Sequence, residues 1–104
     1  MYKVLLVDDE PQIRQGLQAK IHWKENGFIC CGEASNGKEA LQMIDVVRPH
    51  VVITDIRMPE MDGVALLKEG MSRYPELFFI VLSGYDDFPY VKAALQYGAK
   101  DYLL

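Results

Sequence analysis

The sequence predicts a doubly wound α/β domain, in which a five-stranded parallel sheet carries helices on both faces. Its 104 residues suit one domain, and half of them are apolar. Short apolar runs alternate four times with segments of helical periodicity, and a fifth apolar run follows. This (βα)4β alternation requires parallel strands and right-handed crossovers. A flavodoxin-like strand order, 2-1-3-4-5, is favoured, and it places any site beyond the carboxyl ends of the strands.

Each strand is predicted from a short apolar run that is bounded by turn residues or acidic residues. The five predicted strands are Lys3–Val7, Phe28–Ala34, Val51–Thr54, Leu77–Leu82 and Asp101–Leu104. The run Leu77–Leu82 shows no alternation of polar and apolar residues, which is typical of a central strand covered on both faces.

Each helix is predicted from a capping or first-turn residue, followed by apolar residues at helical spacing and a helix breaker. The predicted helices begin near Pro11, Asn36-Gly37, Asp62 and Asp86-Asp87, and they end before Asn26-Gly27, Pro49, Pro75 and Gly98. Their inward stripes are Ile13, Leu17 and Ile21; Ala40, Ile44 and Val47; Leu66, Leu67 and Met71; and Val91, Ala94 and Leu95.

Charge and hydropathy exclude several classes of function. A net charge of −4 makes the domain a poor candidate for binding nucleic acid or anionic lipid. The six apolar residues of Leu77–Leu82 fall far short of the ~20 that a membrane span needs. Acidic residues follow Val7 before the core of a signal peptide could form. We therefore expect a cytoplasmic protein without a membrane partner.

Three acidic residues stand at the ends of strands that the predicted order makes neighbours. Asp8 and Asp9 follow the first strand, and Asp55 ends the third. Three converging carboxylates repel one another, and Mg²⁺ with oxygen ligands would offset that repulsion. A carboxylate beside Mg²⁺ can attack phosphorus to give an aspartyl-phosphate. Alternatively, Asp8 and Asp9 only cap the first helix and Asp55 is a polar strand end, but the two features together favour a metal site.

Two more residues occupy strand positions near this edge of the sheet. Ser83 ends the fourth strand, where its hydroxyl could donate a hydrogen bond to a phosphoryl group on Asp55. A serine at a strand end is more often simple turn chemistry. Tyr102, on the fifth strand, is by default a half-buried edge aromatic.

A more specific pattern is distributed over the whole chain. Its four segments are V-L-L-V-D-D-E at 4–10, V-V-I-T-D-I-R-M-P-E-M-D-G at 51–63, L-S-G-Y at 82–85 and G-A-K-D-Y at 98–102. With these segments in order, each at a strand end, the sequence resembles the receiver domain of two-component response regulators.

The resemblance implies a phosphoacceptor site that contains the three carboxylates. Asp55 matches the residue that takes a phosphoryl group from a phosphohistidine on a sensor histidine kinase. Asp8 and Asp9 match the acidic pair that holds Mg²⁺, and Arg57 matches the position that offers its backbone carbonyl to the metal. Such a domain is a signalling switch rather than an enzyme with multiple turnovers.

The resemblance also implies a conformational switch. Ser83 matches the switch hydroxyl, and Tyr102 matches the aromatic residue that turns inward when Ser83 is drawn toward the phosphoryl group. Pro59 and Gly63 match the loop that shapes the surroundings of the acceptor. The output surface would then consist of the fourth helix, the fifth strand and a fifth helix.

Two finer segments resemble receivers fused to AraC-type helix-turn-helix domains, namely H-W-K-E-N-G-F at 22–28 and S-G-Y-D-D-F-P-Y at 83–90. They imply a transcription regulator whose DNA-binding domain lies outside this chain, and they leave a homodimer open. The family also carries a lysine three residues after the switch aromatic, at position 105 here, and then a fifth helix. We expect residues 1–104 to be a truncated receiver whose sheet keeps an uncovered apolar face.

Three rival functions fit the sequence less well. A phosphohydrolase with an aspartate nucleophile needs a second acid–base carboxylate two residues later, where this chain has Arg57. A flavin carrier needs a phosphate loop rich in Gly, Ser or Thr after the first strand, where this chain has Asp-Asp-Glu-Pro. An interaction module of receiver shape that is never phosphorylated is disfavoured by the intact acidic residues and Ser83, although the absent lysine keeps it open.

Overall fold

The structure, a computed structural model, describes residues 1–82 and the backbone of residues 101–103. The strands are β1 (Tyr2–Val7), β2 (Phe28–Ala34), β3 (Val51–Asp55), β4 (Phe78–Leu82) and β5 (Asp101–Leu103). The helices are α1 (Pro11–Lys20), α2 (Gly37–Val47) and α3 (Gly63–Arg73), and a 3-10 turn covers Lys24–Asn26. Within this part of the chain, no helix has the length and apolar character that crossing a membrane requires.

All five strands pair in parallel in one sheet of order β2-β1-β3-β4-β5. This confirms the fold class and the strand order predicted from the sequence. The predicted bounds of β2 are reproduced, and β3 includes Asp55 as its last residue. The predicted fourth helix, from Asp86-Asp87 to Gly98, lies outside the described residues.

Alternation along the strands divides the apolar side chains between the two faces of the sheet. The larger cluster packs α2 and α3 against one face, and its members include Leu5, Ile44, Val52, Leu66 and Phe79. On the other face, Val4, Leu6 and Ile53 are buried, with Leu17 and Trp23 packed partly over them. A fully buried side chain of this size contributes about 1.5–3 kcal/mol to folding, so both faces stabilise the sheet.

Burial differs from the sequence prediction at two residues. Ile13, assigned to the inward stripe of α1, is 42% exposed. The reason is that α1 turns Arg14 toward the sheet, where its guanidinium pairs with Glu33 of β2 at 3.0 Å. Phe78, the first residue of β4, is 43% exposed, whereas Phe79 and Val81 are buried and Ile80 and Leu82 are partly buried. The outer side of β4 lines an open groove of about 1000 Å³, shared with Val4 and Ile53, on the face expected to remain uncovered.

Helix starts follow the predicted capping residues. The side chain of Asn36 accepts a hydrogen bond from the Glu39 amide, and that of Asp62 accepts one from the Ala65 amide, both at 2.8 Å. Such a cap contributes about 1 kcal/mol and fixes the residue at which the helix begins. Consequently, α3 begins at Gly63, directly beside the end of β3.

Gly63 allows the backbone of α3 to approach the backbone of β3 closely. Its amide donates a hydrogen bond to the Ile56 carbonyl at 2.7 Å. A Cβ atom on residue 63 would lie 2.2 Å from the carbonyl oxygen of Asp55 and 2.9 Å from the Cα of Ile56. Because both neighbours are backbone atoms, no side chain can give way. The identity of residue 63 therefore controls the position of Asp55.

We expect Gly63→Ala to lower the free energy of unfolding by about 1–3 kcal/mol, because the methyl group forces the end of β3 to move. Urea denaturation monitored by circular dichroism measures this change. The matched control is Gly16→Ala in α1, where a Cβ atom meets nothing within 4 Å. That substitution should stabilise the helix by about 0.5–1 kcal/mol. Equal stabilities of Gly63→Ala and the unsubstituted chain would contradict the close approach.

Candidate metal centre

Three carboxylates meet at the carboxyl edge of the sheet. Asp8 and Asp9 directly follow β1, and Asp55 is the last residue of β3. These strands are neighbours, with Val7 paired to Thr54. One carboxylate oxygen from each aspartate lies within 4.8 Å of the others. The structure thus brings together the three acidic residues that the sequence predicted to converge.

Asp8 is buried and is held through its amide, its carbonyl and its side chain. Only 4% of it is exposed. Its amide donates to the Ala34 carbonyl at 3.0 Å, and its Oδ1 accepts from the Glu10 amide at 2.9 Å. Its carbonyl oxygen accepts from Nη1 of Arg14 at 2.5 Å. Hydrogen bonds therefore fix both the backbone and the carboxylate of Asp8 in position.

Asp55 is half-buried, whereas Asp9 is exposed. The Oδ1 atom of Asp55 accepts a hydrogen bond from the Ile56 amide at 2.8 Å. The buried hydroxyl of Thr54 donates to the Asp55 carbonyl at 2.8 Å. Together with the contact from Gly63, these bonds hold the end of β3 in place. The cluster accordingly has a solvent-facing side at Asp9 and a buried side at Asp8.

Burial and, to a smaller extent, the neighbouring carboxylates raise the pKa of Asp8. Burial raises the pKa of its carboxyl from an ordinary value of 3.8 to about 6. The hydrogen bond from the Glu10 amide opposes this rise, and the negative charges of Asp55 and Asp9 add to it. A bound cation would favour the ionised forms. Because every donor in the cluster is a carboxylate oxygen, the residues fit a hard ion such as Mg²⁺.

The alternative role of Asp8 and Asp9 as helix caps receives no support. The N-cap residue of α1 is Glu10, and no side chain makes a capping hydrogen bond there. Pro11 occupies the first turn of α1 and has no amide hydrogen that needs a partner. The carboxylate of Asp8 instead bonds an amide within its own loop.

The remaining predicted site residues are described to different extents. Arg57 and Pro59 are exposed and lie in the irregular segment between β3 and α3. The segment is tied to α2, because the Gly37 amide donates to the Met61 carbonyl at 2.9 Å. Ser83 lies outside the described residues. Tyr102 pairs with Val81 through the backbone of β5, and its side chain also lies outside the described residues.

Sequence reasoning missed Arg14 and the residues that hold it. Nε of Arg14 donates to Glu33 Oε1 at 3.0 Å, and Nε2 of Gln18 donates to Glu33 Oε2 at 2.8 Å. The available signal was the four-residue spacing of two polar side chains in α1, which places them on one helix face. The apolar spacing of Ile13 and Leu17 in the same helix drew the prediction to a different helix face.

The raised pKa of Asp8 predicts how stability depends on pH without a metal. From pH 4 to about 6 the folded state holds the proton of Asp8 more tightly than the unfolded state does. The contribution of Asp8 to the free energy of unfolding therefore falls as pH rises through this window. We expect Asp8→Asn to remove this decline and to stabilise the metal-free protein at pH 7.5 by about 1–3 kcal/mol.

Urea denaturation in chelator at several pH values measures this effect. The control is Asp45→Asn, which removes an exposed carboxylate bonded to Arg73 and Tyr74, away from the cluster. It should keep the decline of the unsubstituted protein. An unchanged pH profile in Asp8→Asn would contradict the prediction.

Comparison with known proteins places this geometry in a family. The chain is 48% identical over all its residues to the transcriptional regulatory protein YesN of Bacillus subtilis. It spans well under half the length of the curated relatives it matches, and 28% in the case of YesN.

Two solved structures share the fold over almost the whole chain. The REC domain of AraT, a response regulator from Geobacillus stearothermophilus, matches 99% of this chain and 80% of its own, at 40% identity and a TM-score of 0.94. A two-component transcriptional regulator AraC from Clostridium phytofermentans matches 98% of this chain and 79% of its own, at 40% identity and a TM-score of 0.89. A family model for the response regulator receiver domain matches residues 4–104, and the chain belongs to that family.

Proposed function

We propose that this receiver domain accepts a phosphoryl group on the carboxylate of Asp55, with Mg²⁺ held by Asp8, Asp9, Asp55 and the backbone carbonyl of Arg57. The observation that carries the proposal is the convergence of three carboxylates, with one oxygen of each within 4.8 Å of the others. A cluster of this kind is unfavourable without a cation and is well matched to an oxygen-seeking one. The phosphoryl donor is a phosphohistidine of a sensor histidine kinase.

The transfer exchanges one bond to phosphorus for another. A carboxylate oxygen of Asp55 attacks phosphorus, so that a P–O bond forms while the P–N bond breaks and its electron pair stays on the imidazole. The Ile56 amide, bonded to Oδ1 of Asp55, orients the attacking carboxylate. Bound Mg²⁺ supplies charge neutralisation for the phosphoryl oxygens. Asp8 and Asp9 hold that ion, Asp8 from a fixed buried position and Asp9 from the solvent side.

Asp55 is the best acceptor of the three. Asp8 is only 4% exposed, so its carboxylate is inaccessible to a phosphoryl donor. Asp9 is exposed, and no described hydrogen bond orients its carboxylate. Asp55 is both half-buried and oriented, at the end of a strand whose position Gly63 sets. Repeated hydrolysis of the aspartyl-phosphate is disfavoured, because residue 57 is an arginine and supplies no acid–base carboxylate. The domain therefore acts as a switch.

The switch itself uses Ser83 and Tyr102. Ser83 follows Leu82, whose backbone partner in β3 is Asp55, so its hydroxyl is proposed to bond the phosphoryl oxygens. Tyr102 is proposed to turn inward as Ser83 moves. Phosphorylation adds nearly two negative charges and three acceptor oxygens that exist only in the active state. Pro59 and Gly63 shape the loop around the acceptor.

The whole protein is proposed to be a cytoplasmic transcription regulator. The relatives YesN and AraC are named as transcriptional regulators, and this chain spans only part of YesN. The output is then an AraC-type helix-turn-helix domain that binds DNA, while the acidic receiver does not. In this proposal, the lysine and fifth helix of the family belong to the remaining polypeptide, where homodimer contacts can also form.

Incubation with acetyl phosphate and Mg²⁺ tests the acceptor. We expect intact mass spectrometry to show one added phosphoryl group, which chelator abolishes because the cluster then lacks its cation. Asp55→Asn should show no adduct, whereas Asp45→Asn, outside the cluster, should be modified normally. Amide shifts on addition of beryllofluoride should extend to Ser83 and Tyr102. An adduct that survives in Asp55→Asn would refute the assignment, and no adduct or shift in the unsubstituted protein would favour a receiver-shaped interaction module.

A further inference from the structure

Arg14 joins the loop that carries the acidic pair to the edge strand of the sheet. Its Nη1 donates to the carbonyl of Asp8 at 2.5 Å, and its Nε donates to Oε1 of Glu33 at 3.0 Å. Only 16% of the Arg14 side chain is exposed. Gln18 holds the second oxygen of Glu33 at 2.8 Å. The guanidinium therefore binds Glu33 of β2 and the carbonyl of Asp8, the first residue after β1, at the same time.

The connection between β1 and α1 needs such a restraint. It consists of residues 8–10, and no side chain caps the helix that follows. The carboxylate of Asp8 is oriented by the Glu10 amide, so a rotation of this short loop would turn the carboxylate away from Asp55. Hydrogen bonds from a charged donor are among the stronger ones in proteins, and the planar guanidinium can serve two acceptors at fixed angles.

Arg14 could also act only through its positive charge, and the two effects have opposite signs. Removing a positive charge makes the cluster more negative, so a purely electrostatic role predicts tighter binding of Mg²⁺ after substitution. Removing a positioning bond disorders a metal-binding carboxylate, which predicts weaker binding. The charge of Arg14 is already opposed by Glu33 at 3.0 Å, which reduces its effect at the cluster.

We propose that Arg14, anchored by Glu33, is a positioning residue that fixes the Asp8 backbone and thereby aims the Asp8 carboxylate into the metal cluster. This inference rests on the proposed function where it concerns Mg²⁺. Its geometric part concerns the metal-free protein alone, so the two can fail separately.

Hydrogen exchange in the metal-free protein tests the geometric part. The Glu10 amide bonds the Asp8 carboxylate, and its protection reports how well that carboxylate is held. We expect Arg14→Ala to speed exchange of this amide by about tenfold, with little change in the β3 amides. The control is Arg73→Ala, which removes an arginine bonded to Asp45 and Glu69. Equal exchange of the Glu10 amide in Arg14→Ala and the unsubstituted protein overturns the proposal.

Calorimetric titration with Mg²⁺ tests the consequence for the metal. We expect the dissociation constant to rise at least about tenfold in Arg14→Ala and to stay unchanged in Arg73→Ala. Arg14→Lys keeps the charge but loses the planar fork, so it should also weaken binding, and it serves as the test if the alanine variant does not fold. Unchanged or tighter binding in either Arg14 variant overturns the proposal. If the unsubstituted protein binds no Mg²⁺, the proposed function fails, and exchange of the Glu10 amide still decides the role of Arg14.

Discussion

Carboxylates that share a space of a few ångströms repel one another, and the pairing of β1 with β3 holds Asp8, Asp9 and Asp55 in such a space. The cost is visible in the raised pKa of Asp8, which burial and neighbouring negative charge make a weaker acid. The fold can sustain this cost because both faces of the sheet around the two strands are packed with apolar side chains. Backbone amides then fix the carboxylates of Asp8 and Asp55 locally. Much of the remaining architecture at this edge can be understood as support for that arrangement.

The segment between β3 and α3 links the cluster to two helices. Gly63 brings the start of α3 against the Asp55 backbone, and its amide holds the Ile56 carbonyl. Met61 reaches the start of α2, where a Cβ atom on Gly37 would lie 2.5 Å from the Met61 carbonyl oxygen. A change at the Asp55 carboxylate therefore cannot remain local if it moves the backbone. Such a movement would displace the backbone at the starts of α2 and α3, because both are in close contact with this segment.

The sequence was sufficient to predict the strand order and the meeting of the carboxylates. Alternating strands and helices allow few topologies. In a parallel sheet the carboxyl ends of all strands lie at one edge, so acidic residues at those ends come together. It was not sufficient to separate Asp8 from Asp9. Asp8 and Asp9 differ in burial because the chain turns between them. That turn depends on a contact from Ala34, which is distant in sequence, and on one from Arg14, which lies in the following helix.

The errors of burial have a related cause. Periodicity in α1 marks Ile13 and Leu17 as one face, but it does not reveal which polar contacts the helix makes with the sheet. The ion pair of Arg14 with Glu33 is such a contact, and it leaves Ile13 exposed while Leu17 stays packed. Similarly, an unbroken apolar run such as that of β4 indicates low polarity on both sides of a strand. It cannot indicate whether another element covers each side, and Phe78 borders an open groove.

The two edges of the sheet differ in how their charged groups are arranged. At the amino edge, the Lys3 amide donates to Nδ1 of His50 at 2.9 Å, and the Lys3 ammonium donates to the carbonyl of Val47 at the end of α2. Nearby, the guanidinium of Arg48 lies 4.1 Å from the ring centre of Tyr74, whose hydroxyl bonds an acidic residue of α2. These contacts pair donors with acceptors and cations with rings or carboxylates, whereas the carboxyl edge gathers like charges.

This difference between the two edges has a mechanical consequence for the proposed switch. The amino edge restrains the ends of α2 and α3 that lie far from the carboxylates, so a change in charge at the other edge acts on helices fixed at one end. A helix held at its far end responds to a small displacement of its near end by rotating rather than by translating. The close backbone contacts of Gly37 and Gly63 stand at the starts of these helices, and the contact of Gly63 is made with Asp55 itself, where such a displacement would begin.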